Sequence, residues 1–112
     1  MAIITLTSDI GDQDFLTGAI KGQLLSQLQD TQIIDINHRL SPFNYPHAVY
    51  VCKNAMKHFP QGTFHLILVN MFDDEPRQLL MAYQDGQYFC CADNGLLTMI
   101  LDETPKVIGL PI

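Results

Sequence analysis

The chain has 112 residues, 47% of them apolar, and a formal net charge of −6, which bounds it to one domain able to bury a core. Its six Lys and Arg residues cannot supply the broad basic footprint that nucleic acid demands, and polyphosphate ligands are disfavoured on the same ground. No run of about 18 apolar residues is present to cross a membrane, and the segment from Met1 to Thr7 lacks the basic region of a secretory leader. A small cationic ligand is electrostatically easier to hold.

Residues 2–7 (AIITLT) are β-branched and apolar on both parities, which predicts a strand covered on both faces. After the turn Ser8-Asp9-Ile10-Gly11-Asp12-Gln13, a helical pattern runs from about Asp14 to Gln29. Leu16, Ile20, Leu24 and Leu28 recur every four residues, widened by Phe15, Ala19 and Leu25. Asp12 and Asp14 stand where they can cap this helix and suit its dipole. Residues 32–36 predict a second strand, and the loop from Asn37 to Tyr45 follows. Pro46 suits the first turn of a second helix reaching about His58, with Val49, Cys52, Met56 and Phe59 on its apolar face. Pro60-Gln61-Gly62 stops it, and residues 63–69 are a third, nearly all-apolar strand. Residues 79–84 and 87–91 around Asp85-Gly86 predict a hairpin. A short helix over 94–102 and a last strand over 106–110 complete the chain. The expected fold is therefore α/β, with a mixed, mainly parallel sheet flanked by helices: βαβαβ followed by antiparallel strands.

Three cysteines, Cys52, Cys90 and Cys91, match neither a redox pair nor a zinc knuckle. They are expected as free, buried or semi-buried thiols in a reducing cytoplasm, with Cys90 and Cys91 on opposite faces of one strand. His38, His47, His58 and His65 show no metal-ligand spacing. His65 is expected as a satisfied core residue; His38 lies in a candidate site loop.

In open α/β sheets, ligands bind beyond the carboxyl ends of the strands. That rule selects the loops 8–13, 37–45 and 70–76, where polar residues concentrate: Asp9, Asp12 and Asp14; Asn37, His38, Phe43 and Asn44; Asn70, Asp73, Asp74, Glu75 and Arg77. The first loop has one glycine where a dinucleotide cradle needs three. An aspartate at a strand's end can accept two hydrogen bonds from vicinal ribose hydroxyls, and equally can serve as a turn or cap residue. The acidic runs could jointly hold Mg²⁺, which leaves a metal phosphohydrolase as a third reading.

These blocks resemble the S-adenosylmethionine hydrolase and halogenase family, also described as S-adenosylmethionine hydroxide adenosyltransferases with the fluorinases and chlorinases. Residues 4–11 (ITLTSDIG) are similar to that family's TLTTDFG opening. Lys21-Gly22, Asp35-Ile36 with His38, and Ser41-Pro42-Phe43 resemble its next blocks, Phe59-Pro60-x-Gly62-Thr63 its FPPGT turn, and residues 93–97 its DNGLL segment. The resemblance implies an N-terminal α/β domain over 1–112, without the family's C-terminal β-barrel. It implies cleavage of S-adenosylmethionine at ribose C5′ by water, giving adenosine and methionine, with no cofactor and no metal. It further implies a homotrimer whose substrate lies between subunits.

By position, Asp9 matches the aspartate that holds the ribose hydroxyls, Asp14 an acidic position near the methionine end, and Phe43 the aromatic position against the substrate. The family segment VDPGVGxxRR supplies an Asp and an Arg that position the attacking water. Here that segment begins Val69-Asn70 and carries Arg77, so Asn70 and Arg77 take those places as catalytic residues. With an amide in place of the acid and no second domain, the isolated chain is expected to be weak or inactive. The alternative is a divergent, non-catalytic relative that binds an adenosine-type ligand or only assembles.

Overall fold

The computed structural model describes residues 2–11, 13–69, 78–92, 95–101 and 106–111, with backbone alone for Gln78 and for 106–111. Among these residues six strands and three helices follow in the order β1 (Ala2–Ser8), α1 (Leu16–Gln27), β2 (Thr31–Asn37), α2 (Tyr45–Met56), β3 (Phe64–Leu68), β4 (Gln78–Gln84), β5 (Gln87–Ala92), α3 (Leu96–Ile100) and β6 (Lys106–Pro111). They form one sheet in the order β2-β1-β3-β5-β4-β6. The pairs β1–β2, β1–β3 and β3–β5 are parallel, while β4–β5 and β4–β6 are antiparallel. This is the mixed, mainly parallel sheet that the pattern predicts.

β1 lies between β2 and β3 because its side chains can be buried on both faces. Ile4 and Leu6 point one way, and Thr5 and Thr7 the other; all four are buried. On the second face, α2 sets Ala48 and Cys52 against Ile67, Phe89 and Cys91, and α3 adds Leu96, Leu97 and Ile100. Each large apolar side chain so covered contributes roughly 1.5–3 kcal/mol. Across the sheet, Leu24 of α1 and Leu28 just past its end line, with Ile4, Phe64, Leu66, Tyr88 and Cys90, a groove of about 580 Å³. Cys90 and Cys91 therefore face opposite sides, and all three cysteines are buried thiols outside any disulfide.

The second face also holds a polar cluster. His65 Nε2 lies 2.5 Å from Gln87 Oε1, and Gln87 Nε2 donates to the carbonyls of Met56 and Phe59. Those two bonds fix the amide's orientation, so its oxygen accepts and His65 carries its proton on Nε2. Nδ1 is then the acceptor for the Thr5 hydroxyl at 2.7 Å. Burial pushes the His65 pKa down, partly opposed by the Gln87 bond. The expectation of a satisfied core histidine holds.

α2 has Pro46 in its first turn, as the sequence predicts, and the structure adds a cap, Asn44, which accepts from His47 N at 3.2 Å. α1 differs. Its N-cap is Phe15 and no side chain caps it. Asp14 instead accepts from the amide of Phe15, one residue on, at 2.6 Å; Asp12 lies outside the described residues.

The direction of the connections matters for function. β1 leads through α1 outward to β2, and β2 returns through α2 to β3 on the opposite side of β1. The chain thus reverses between β1 and β3, and this is the kind of crevice that open α/β sheets use for ligands.

Candidate functional site

Because β1 and β2 are parallel, their carboxyl ends, Ser8 and Asn37, lie at the same end of the sheet. The two loops that follow are laced together. Leu40 N donates to Ser8 O at 3.3 Å, and Gly11 N donates to His38 O at 2.6 Å. Gly11 has φ +88°, a left-handed conformation that a side chain disfavours. Its carbonyl accepts from Thr17 Oγ1 at 2.6 Å, which ties the loop to the first turn of α1.

A line of side chains runs beneath these loops. Ser8 Oγ is 2.6 Å from His38 Nδ1, His38 Nε2 is 2.8 Å from Asp35 Oδ1, and Lys21 Nζ donates to Asp35 Oδ2 at 2.7 Å. Ser8 is fully buried and His38 nearly so. Burial works to raise the Asp35 carboxyl, but hydrogen bonds from His38 and Lys21 and the Lys21 charge outweigh it and hold the pKa below its usual value. A cleft of about 470 Å³ opens over this line, walled by Asp14, Lys21, Asp35, Asn37, His38 and Arg39 among others. Both signs of charge meet in it, which suits a zwitterionic or mixed-charge ligand.

The residues singled out in the sequence fall as follows. Asp9 is half-buried immediately past the end of β1. Asp14 is exposed and lines the cleft. Phe43, 78% exposed, stands on the neighbouring loop just before α2, and its amide donates to Ser41 Oγ at 3.3 Å. Neither Asp9 nor Phe43 lines the cleft itself. Asn70 and Arg77 lie outside the described residues; β3 leads to the buried Val69 just before them. So the first two loops are brought together, and Asp14 joins His38 at one cavity.

Sequence reasoning does not single out Ser8 as part of a side-chain network. The available signal is the run Thr5, Thr7 and Ser8 in a strand buried on both faces, since buried hydroxyls require partners. Other chemistries find less here. Burial pushes the Cys52 thiol up to about 11, opposed by a hydrogen bond from Thr7, so it is no nucleophile at neutral pH. Among the described residues no three His, Cys, Asp or Glu side chains gather as a metal set. Asp12 and the run from Asp73 to Glu75, on which the Mg²⁺ reading relies, lie outside them.

Known proteins share this arrangement of elements. A family model described as the SAM hydroxide adenosyltransferase N-terminal domain matches residues 4–111. An (R)-S-adenosyl-L-methionine hydrolase of Methanocaldococcus jannaschii is 34% identical over 105 residues, which cover 90% of this chain and 40% of the hydrolase. A fluorinase of Actinopolyspora mzabensis is 31% identical over 61 residues, covering 54% of this chain and 20% of the fluorinase. An uncharacterized conserved protein from Thermotoga maritima superposes with a TM-score of 0.83 at 28% identity, over 95% of this chain and 41% of that one. A conserved hypothetical protein from Thermus thermophilus, at 24% identity, gives the same TM-score of 0.83 over 100% of this chain and 48% of its own; this last likeness speaks to the fold alone. The chain spans less than half the length of each of these relatives.

Proposed function

Since this chain belongs to the family of SAM hydroxide adenosyltransferase N-terminal domains, we propose that it forms the nucleoside-holding part of a protein that cleaves S-adenosylmethionine with water. The observation that carries this reading is the 34% identity to the archaeal hydrolase across 90% of the chain. The strand-tip position of Asp9, beside the point where the connections reverse, supports it independently.

In the reaction, water attacks ribose C5′ in line with the sulfonium. The new C5′–O bond forms as the C5′–S bond breaks; methionine departs with the bond's electron pair, and water's proton is lost to solvent. The sulfonium brings its own leaving group, so no separate cofactor is needed. Asp9 accepts hydrogen bonds from the ribose diol, and Asp14 serves the methionine ammonium. Phe43, whose ring stands free of the core, packs against the ligand, and an aromatic face favours a sulfonium cation much as it favours quaternary ammonium. Asn70 and Arg77 orient the water. Catalysis then rests on positioning and on desolvating the nucleophile.

The substrate is a small molecule, and the −6 charge argues against nucleic acid. Among the described residues no helix is long and apolar enough to cross a membrane. We place the protein in the cytoplasm and its working form as a homotrimer, with residues 1–112 acting as one α/β domain. Because the chain covers 40% of the hydrolase, the isolated chain is expected to bind better than it turns over. Asn70, an amide where the family pattern has an acid, favours a second reading in which the chain binds nucleosides without cleaving them.

Titration calorimetry with adenosine and S-adenosylmethionine, beside chromatographic detection of released adenosine, tests both. Saturable binding with adenosine release supports the hydrolase, and binding alone supports the second reading. Absence of binding together with Mg²⁺-dependent phosphate release that Asp9→Ala abolishes would replace both with the phosphohydrolase.

A further inference from the structure

We infer that His38 is a positioning residue for the Asp9 carboxylate, acting through Ser8 and the backbone of Gly11. The inference rests on the reading of Asp9 as the ribose-diol acceptor and extends it to residues that act on the diol through Asp9.

The geometry brackets Asp9 from both sides. Ser8, its immediate predecessor, is buried with 0% exposure, and its Oγ lies 2.6 Å from His38 Nδ1. The same Oγ accepts from Ile10 N at 3.3 Å, closing a turn around Asp9. One residue further on, Gly11 N donates to the backbone carbonyl of His38 at 2.6 Å. His38 therefore grips the loop by its ring at Ser8 and by its main chain at Gly11, with only Asp9 and Ile10 between.

The proton positions follow from the partners. A carboxylate only accepts, so the 2.8 Å contact between His38 Nε2 and Asp35 Oδ1 puts a proton on Nε2. In the neutral ring Nδ1 is then an acceptor, and Ser8 must donate its hydroxyl proton to it. That leaves the Ser8 lone pairs for Ile10 N, and every group in the line is satisfied. Lys21, on α1, holds the second oxygen of Asp35 and so fixes the plane of the carboxylate that orients the ring.

The order Ser8, His38, Asp35 also resembles a nucleophilic triad. Burial decides against that function. An attacking hydroxyl needs open space beside it, and Ser8 has no exposed surface. The line is a clamp.

The test is calorimetry of the 112-residue chain with adenosine and with 2′,3′-dideoxyadenosine, which lacks the diol. The wild-type chain should favour adenosine by roughly tenfold or more, as charge-assisted hydrogen bonds would give. Ser8→Ala should bring the two nucleosides within about threefold of each other while leaving dideoxyadenosine binding unchanged, and His38→Ala should likewise lose the discrimination. Retention of the wild-type ratio in Ser8→Ala, or an equal loss for both nucleosides, would overturn the inference, because a merely structural role cannot select for the diol. A wild-type chain without preference would instead remove the diol reading itself, so the two failures are distinct. If the variants do not fold, ¹⁵N spectra of the wild-type imidazoles still decide: neutral His38 should be protonated on Nε2, and an Nδ1–H tautomer would contradict the clamp.

Discussion

Asp35 and His65 both make stability fall as pH drops, in different pH windows. The Asp35 carboxyl is held below its ordinary value, so its contribution is complete above the unfolded value near 3.8 and is lost as pH falls through the lower folded value. His65 is held below its ordinary 6.5. Above that value both states are neutral; as pH drops beneath it the unfolded chain takes up a proton that the buried ring resists, and stability falls. Thermal melts from about pH 8 to about pH 4 should therefore show a decline beginning near 6.5 that is absent in His65→Gln, and an unchanged onset in that variant would contradict the assignment. Asn70 makes a third prediction at this scale. If the amide limits the chemistry, Asn70→Asp should raise adenosine release from S-adenosylmethionine, and equal or lower turnover would count against Asn70 as the residue beside the water. Residue identity at these positions is legible in the sequence, but mutual placement is not. Ser8 reads as a turn residue until its burial is seen, because nothing in local spacing ties it to a histidine 30 positions away.

The helices show where periodicity informs and where it misleads. α2 is largely legible in the sequence: Pro46 marks its start and Cys52 lies on the buried face, although the pattern offers Val49 where Ala48 is the residue fully buried. α1 has a poorer face, with Thr17 its one buried residue. Phe15, Leu16, Leu25 and Leu28 are exposed at 72%, 45%, 54% and 42%, since apolar positions spread so widely around the helix cannot all meet one sheet. Its start is equally opaque, because Asp14 can bond its neighbour's amide as readily as cap a turn. Two substitutions measure these elements. Ile67→Ala in β3, removing a side chain that is 1% exposed, should cost roughly 2–5 kcal/mol in urea unfolding. Gly11→Ala should cost about 1–2 kcal/mol for its left-handed backbone, although no atom would meet the added methyl within 4 Å. An unchanged midpoint in either would show that β3 is not central or that Gly11 is not held in its left-handed conformation.

At the scale of the molecule, the class is legible in the sequence and the strand order is not. Alternating strand and helix patterns imply parallel pairing, and the hairpin at Asp85-Gly86 follows from two residues that both adopt positive φ, 54° and 79°. Nothing in the pattern says that β5 rather than β4 pairs with β3, because register between distant strands is set by packing. That pairing places the end of β5 beside those of β1, β2 and β3, so four strand tips share one end of the sheet. In the proposed function this end of the sheet holds a ribose at Asp9. A crystal structure of the chain with adenosine tests it most directly. Both ribose hydroxyls should lie within hydrogen-bonding distance of the Asp9 carboxylate, between the tips of β1 and β3. A nucleoside seated elsewhere, for instance in the apolar groove between α1 and the sheet, would contradict it.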